Sequence, residues 1–140
     1  MAGHVALVLH AHLPYVRHPE HARPLEERWL HEALWESYLP LVEVLDRLAA
    51  DGVRAGLTIS LSPPLAAMLA DDLLRRRFAD HLQRLARLAA HLARGGLVAP
   101  ALRPALAFYE RRIGAVHAVW DRIQGDLTGA LSAHARTNRS

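Results

Sequence analysis

The spacing of apolar residues changes several times along the chain, and each spacing predicts a different element. The first such stretch lies near the amino terminus. Residues 5–9 form a continuous apolar run that is followed by His10, Ala11, His12, Leu13 and Pro14. An unbroken run of this length is typical of a strand that is covered on both faces, as in a parallel sheet between helices. Because Pro14 lacks the N–H that a sheet requires, we expect the strand to end near it.

A second strand is predicted over residues 53–60, where apolar residues alternate with polar or small ones. Between the strands, residues 26–48 have helical spacing, with Pro40 expected to kink or split the helix. The order strand, helix, strand predicts a right-handed crossover and therefore a parallel pair. Ser62 is expected to cap the next helix, with Pro63 at its first position.

The rest of the chain has mainly helical periodicity. One segment covers residues 64–92, with a break expected at a capping pair, Asp71 and Asp72. Two others cover residues 104–124 and 127–134, and Gly125 and Asp126 are expected to end the first of these and cap the second. Residues 1–134 are therefore expected to fold, and the polar tail over residues 135–140 is expected to be disordered. Two strands leave both outer sheet edges unpaired, so something that continues the sheet is missing. The apolar stripes expected to face the core comprise Leu74, Phe78, Leu82, Leu85, Leu88, Leu92, Phe108, Ile113, Val116, Trp120 and Ile123.

The candidate chemistry lies where the first strand ends. Side chains alternate along a strand, so His10 and His12 are expected to project to the same side, at the carboxyl end where α/β proteins bind ligands. The chain contains 10 histidines, so a pair that only closes a loop remains an alternative. A second alternative is a pair of metal ligands in a hydrolase or deacetylase barrel. It needs a third ligand, and the second strand ends only in serines. A third is a non-enzymatic helical module that binds a partner through its leucine stripes.

Composition narrows these alternatives. A chain of 140 residues with 51% hydrophobic and 22% charged residues is expected to form one globular domain. It has no cysteine, no recognisable secretory signal and no apolar stretch long enough to cross a membrane, which fits a cytoplasmic protein. The net charge is +3, and the sequence contains arginines but no lysine. Their one cluster, Arg75 to Arg77, is expected to fan around a solvated helix face, so neither nucleic-acid nor membrane binding is predicted.

Three motifs in order resemble the amino-terminal part of glycoside hydrolase family 57. They are Leu9-His10-Ala11-His12-Leu13-Pro14-Tyr15-Val16-Arg17-His18-Pro19, Glu26-Glu27-Arg28-Trp29-Leu30 and Leu57-Thr58-Ile59-Ser60-Leu61-Ser62-Pro63-Pro64-Leu65. Within the family, the chain looks most like the 1,4-alpha-glucan (glycogen) branching enzymes. The resemblance covers about the first 131 residues.

The resemblance implies an α/β fold that contains the first two parallel strands and several helices of an incomplete (β/α)7 TIM-like barrel. It implies an alpha-glucan substrate, glycogen metabolism and no cofactor or metal. His10 and His12 would line the substrate cleft, where neutral imidazoles can hydrogen-bond sugar hydroxyls.

The resemblance also implies a retaining reaction, with a glutamate nucleophile and an aspartate acid/base on later strands. No residue of this chain matches either motif, so no catalytic residue is assigned and the chain alone is expected to be inactive. From Ser132 onward the sequence departs from the family, as expected of a truncation or a shifted reading frame. Surface charge and capping are expected to account for the acidic residues that are present: Glu26, Glu27, Glu32, Glu36, Glu43, Asp71, Asp72, Glu110 and Asp121.

Overall fold

The computed structural model describes residue 3 and residues 5–53, 56–95 and 98–137. Strand β1 (Leu7–Ala11) pairs in parallel with strand β2 (Leu57–Leu61). The register places Leu7 opposite Leu57 and His10 opposite Ser60. The predicted parallel pair is therefore confirmed, although β1 begins and ends two residues later than its apolar run. Residues 54 and 55 of the predicted second strand lie outside the described residues.

The helices form most of the described chain. They are α1 (Glu27–Ala33), α2 (Leu39–Ala50), α3 (Pro63–Ala70), α4 (Asp72–Arg94), α5 (Arg103–Arg122) and α6 (Leu127–Thr137), with a short 3₁₀ turn at Pro100–Leu102. A π-helical turn, Leu34–Tyr38, connects α1 to α2, so that the helix continues from one to the other. Pro40 lies two residues after the π-helical turn, so the predicted split is not observed and the helix instead changes type just before the proline. Helix α6 continues three residues beyond its predicted end, so the prediction of disorder is wrong for residues 135–137, and residues 138–140 of the predicted tail lie outside the described residues.

The helix ends are capped largely as the sequence predicts. Asp71 interrupts the long helical segment, and its carboxylate accepts a hydrogen bond of 3.0 Å from the Leu74 amide at the start of α4. Asp126 accepts from the Gly129 amide at 2.9 Å and so caps α6. Gly125, which precedes it, has φ of 71° and lies against the Trp120 ring. Glycine suits this position because it adopts a positive φ without strain, and because a Cβ there would lie 3.0 Å from Trp120.

Ser62 departs from the prediction for helix α3. It occupies the N-cap position with an extended backbone, and Pro63 and Pro64 follow, but its side chain makes no capping hydrogen bond. A capping side chain bonds the N–H of the second or third helical residue, and Pro64 has removed the first of these donors. The Ser62 hydroxyl is buried and has no hydrogen-bond partner within the described part of the chain.

The core lies between the helices. Phe78 is fully buried on α4 and packs edge-to-face against Trp120 of α5, with ring centroids 4.7 Å apart. Two members of the predicted stripes, Leu88 and Phe108, are exposed instead. Leu88 misses the core because Ala89 holds the buried position, and adjacent helical residues differ by about 100°. The fully or nearly fully buried apolar residues that form one cluster are Val16, Leu30, Leu34, Leu39, Val42, Leu65, Met68, Leu69, Leu74, Phe78, Leu82, Val116, Val119, Trp120 and Leu127.

Strand β1, in contrast, is largely exposed, whereas β2 is half-buried at alternate positions. Leu7 and Val8 of β1 retain 58% and 61% of their accessible surface, so the prediction of a strand buried on both faces is wrong for the described chain. The physical reason is that the sheet there contains only β1 and β2. No helix within the described ranges is long and apolar enough to cross a membrane.

Candidate functional site

The candidate site lies at the carboxyl ends of the two strands. His10 is the fourth residue of β1, and His12 follows the last residue of that strand. Their rings lie side by side, with centroids 6.2 Å apart and planes 13° from parallel. Strand alternation therefore brings the two imidazoles together as the sequence predicts. Both residues are exposed.

Ser60 holds the ring of His10 from the neighbouring strand. The two residues are opposite in the register, and a hydrogen bond of 3.3 Å joins His10 Nδ1 to the Ser60 hydroxyl, with the donor set by the imidazole tautomer. This bond uses Nδ1 and leaves Nε2 for another partner. Just beyond it, the Ser62 amide donates to the Ala11 carbonyl at 3.0 Å, which keeps the two strand ends together.

The loop after His12 is fastened to helices α3 and α4 at several points. The Val16 amide donates to the sulfur of Met68 at 3.3 Å, and Arg17 forms an ion pair of 2.6 Å with Asp71. Burial raises the pKa of Asp71, but the Leu74 amide and Arg17 outweigh it, so the net pKa lies below its usual value. The carboxylate thus stays ionised while it fixes both the loop and the start of α4.

Arg77 is the strongest anchor of the same loop. Its guanidinium donates to the carbonyls of His18 at 3.2 Å and His21 at 2.5 Å and to the carboxylate of Glu27. Glu27 retains only 2% of its surface, so its expected role as a surface charge is wrong. The expectation that Arg75 to Arg77 fan around a solvated face holds only for Arg76. Arg75 donates to the Leu69 carbonyl at 2.9 Å, and Arg77 is largely buried.

Sequence reasoning also missed a histidine pair, His31 of α1 and His81 of α4, whose ring centroids are 4.7 Å apart. The available signal was the spacing of four between Glu27 and His31 and again between Arg77 and His81, which places each pair on one helix face. That signal does not say which faces of two helices meet. The pairing became visible only in the packed structure.

A metal centre at the strand ends was one alternative. Within the ranges that the structure describes, no group of three or more histidine, cysteine, aspartate or glutamate side chains is arranged to hold a metal ion.

The fold and the residues at the carboxyl ends of β1 and β2 together define the class of protein. It is an α/β protein in which polar side chains gather at the carboxyl ends of parallel strands, the usual position of a ligand site. The model of "Glycosyl hydrolase family 57" matches residues 6–113. The chain belongs to glycosyl hydrolase family 57, as its three motifs predict.

Relatives and solved structures agree with this assignment. A 1,4-alpha-glucan branching enzyme of Thermococcus kodakarensis is 34% identical over 133 residues, which are 94% of this chain and 19% of that protein. A probable 1,4-alpha-glucan branching enzyme of Mycobacterium tuberculosis is 40% identical over 70 residues, or 49% of this chain and 13% of the relative. The chain thus spans no more than about a fifth of the length of these relatives.

Three crystal structures share the fold. The branching enzyme of Pyrococcus horikoshii matches with a TM-score of 0.81 and 35% identity, over 90% of this chain and 23% of that one. The branching enzyme of Thermococcus kodakaraensis, solved with glucose and additives, matches with a TM-score of 0.85 and 30% identity, over 94% and 23%. The alpha-amylase AmyC of Thermotoga maritima matches with a TM-score of 0.87 and 33% identity, over 98% and 26%.

Proposed function

We propose that this chain forms one wall of the substrate cleft of a 1,4-alpha-glucan branching enzyme. The enzyme transfers a glycosyl unit with retention and forms alpha-1,6 branches in glycogen. In this proposal β1 and β2 are the first two strands of an incomplete (β/α)7 barrel, and residues 1–134 belong to its catalytic domain. The glutamate nucleophile and the aspartate acid/base come from later strands, outside this chain.

One observation carries the proposal, namely the paired imidazoles at the carboxyl end of β1. Ser60 occupies Nδ1 of His10, which fixes the ring and leaves Nε2 to donate to or accept from a sugar hydroxyl. His12 lies beside it in a nearly parallel orientation and can serve a neighbouring hydroxyl. Hydrogen bonds of this kind orient a glucan without any proton transfer by the histidines themselves.

The loop anchors support the same role. Three contacts hold the segment after His12 against α3 and α4: Arg77 with the His21 carbonyl, Arg17 with Asp71, and the Val16 amide with Met68. The wall of the cleft is therefore organised before substrate arrives. Preorganisation of this kind lowers the entropic cost of binding. The substrate is then an alpha-glucan such as amylose or glycogen. A cytoplasmic location fits a sequence without cysteine.

A chimeric enzyme tests the proposal directly. The 133 aligned residues of the Thermococcus kodakarensis enzyme are replaced by those of this chain, and branching of amylose is followed by loss of iodine stain and by new alpha-1,6 linkages. We expect activity in the chimera and a loss of about tenfold in kcat/KM on His10→Ala, the effect of about 1.4 kcal/mol of lost binding. His91→Ala is the matched control, because His91 is an exposed histidine on α4 and does not line the strand edge.

Two results would contradict the proposal. A folded chimera that only hydrolyses amylose would assign an amylase reaction instead of branching, and equal activities of the two histidine variants would remove the strand edge from the cleft. The 140-residue chain alone gives a further check. It should leave the iodine stain of amylose unchanged, because the catalytic carboxylates are not among its residues, and a clear loss of stain would show otherwise.

A further inference from the structure

A second site lies on the helical side of the molecule, away from His10 and His12. A cleft of about 510 Å³ is bounded by the loop at residues 22–25, by α1 and by α4. Its volume lies in the range of small-molecule pockets and is several times that needed for a single ion. The lining contains four arginines, Arg23, Arg28, Arg77 and Arg84, and the stacked pair His31 and His81.

The lining places four arginines against two carboxylates, Glu27 and Asp80, so positive charge is in excess. Arg77 is paired with buried Glu27, and Arg28 lies 3.8 Å from Glu32 in an exposed pair that contributes little. Arg84 has no hydrogen bond or ion pair with any other residue that the structure describes. An arginine that lines a concave surface without a carboxylate partner is suited to bind phosphate through two parallel N–H donors.

His31 supplies a second and independent observation. It retains 7% of its surface, and its buried Nε2 atom has no hydrogen-bond partner among the residues that the structure describes. Buried polar atoms are almost always paired, since an unpaired one costs about 1–3 kcal/mol. Burial, and then the neighbouring His81, Arg84 and Arg77, lowers the pKa of His31 to about 4. Two of these neighbours, Arg84 and Arg77, line the cleft with His31 and place positive charge beside the ring, which an anion in the cleft would offset.

We propose that this cleft binds the phosphate group of a sugar phosphate ester, with Arg84 and Arg28 on the phosphate oxygens and the two histidines beside them. The ester, rather than the free ion, fits the volume that remains after the phosphate is placed. Asp80, the carboxylate on the same wall, can accept hydrogen bonds from sugar hydroxyls. The site is independent of the glucan reaction proposed above.

Ligand binding is linked to the protonation of the histidine pair. The second pKa of a phosphate monoester is about 6, so the dianion and the imidazoles can share a proton near neutral pH. Binding should therefore raise the pKa values of both rings. The charged and titratable groups that face them are Glu27, Arg28 and Glu32 on α1, Arg77, Asp80 and Arg84 on α4, and Arg23 on the loop.

The test is a titration of the 140-residue chain by NMR, observing the imidazole C–H signals of His31 and His81. The probes are glucose 6-phosphate, inorganic phosphate and glucose. We expect glucose 6-phosphate to shift both signals with saturation and glucose to have no effect. Arg84→Gln should weaken binding by at least about tenfold, the loss of a charge-assisted hydrogen bond. Arg87→Gln, a neighbouring exposed arginine outside the cleft, should change it less than about twofold.

The remaining outcomes separate the possibilities. Equal affinities for inorganic phosphate and glucose 6-phosphate would support the phosphate site but reject the sugar ester as its particular ligand. His81→Phe keeps a stacked ring and removes both nitrogens, so it should weaken binding about fivefold in a chain with an unchanged circular dichroism spectrum. No shift of either signal at about 20 mM ligand, or equal weakening by Arg84→Gln and Arg87→Gln, would overturn the proposal.

Discussion

The strand pair and the helical layer differ in a way that their sequences do not suggest. Residues 5–9, which run into β1, are all apolar, yet Leu7 and Val8 are exposed. Helices α4 and α5 carry many charged residues, yet the inward faces of the helices and of the π-helical turn supply every member of the core cluster except Val16 of the loop after β1. The comparison shows that the helical layer is packed within this chain, whereas β1 has the composition of a covered strand and is not covered by the residues that the structure describes.

The largest expected effect concerns the helical layer. Phe78→Ala removes a fully buried ring that packs against Trp120, and should lower the free energy of unfolding by about 3–5 kcal/mol. Phe108→Ala is the control, because the exposed ring on α5 should change it by about 0.5 kcal/mol or less. Urea denaturation followed by circular dichroism measures both. Similar losses for the two variants would mean that the helices are not packed as described.

The next effect is a pH dependence that arises on the helical side. The folded-state pKa of His31 is about 4 and its ordinary value is 6.5, so the unfolded chain binds the additional proton between these values. Stability should therefore fall as the pH is lowered through this interval, by up to about 3 kcal/mol from this group. The pKa of His81 in the folded state is also lowered, by burial first and then by Arg84 and Arg28.

A His31→Phe variant isolates the contribution of His31. It keeps an aromatic ring beside Phe78 and removes the titrating group, so the free energy of unfolding should vary less between pH 6.5 and pH 4 than in the parent chain. Denaturant titrations at several pH values measure the difference. An unchanged slope would show that His31 does not titrate with a lowered pKa.

The smallest expected effect on stability concerns the strands. Val8→Thr keeps a β-branched side chain at an exposed position of β1 and should change the free energy of unfolding by about 0.5 kcal/mol or less. It should also reduce self-association, because an exposed apolar strand promotes edge-to-edge pairing. Size-exclusion chromatography over a range of concentrations tests this. A loss above about 1 kcal/mol would show that β1 is already covered.

Much of the fold follows from local signals. The parallel pair, the break at Asp71 and the cap at Asp126 were predictable because each depends on residues close in sequence or on a strong periodicity. The exposure of β1 was not, because the same apolar run fits a covered strand and an uncovered one. Ser62 and Pro63 take the predicted N-cap and first helical positions, but the capping hydrogen bond itself does not form.

The candidate site divides in the same way. The juxtaposition of His10 and His12 follows from alternation along one strand, so two residues in sequence suffice to predict it. The bond from Ser60 depends on the register between strands, and the pair His31 and His81 depends on which faces of α1 and α4 meet. Such contacts join residues 50 positions apart, where no local pattern specifies a partner.

The sulfur atom beneath the loop has a chemical consequence of its own. Met68 retains 1% of its surface and accepts the amide of Val16. Peroxide can reach this thioether only when α3 and the loop separate, so the rate at which Met68 becomes the sulfoxide measures how often the two come apart. Once Met68 is oxidised, its added polar oxygen would have to be accommodated in an apolar interior. The loop would then no longer close over Met68 as before.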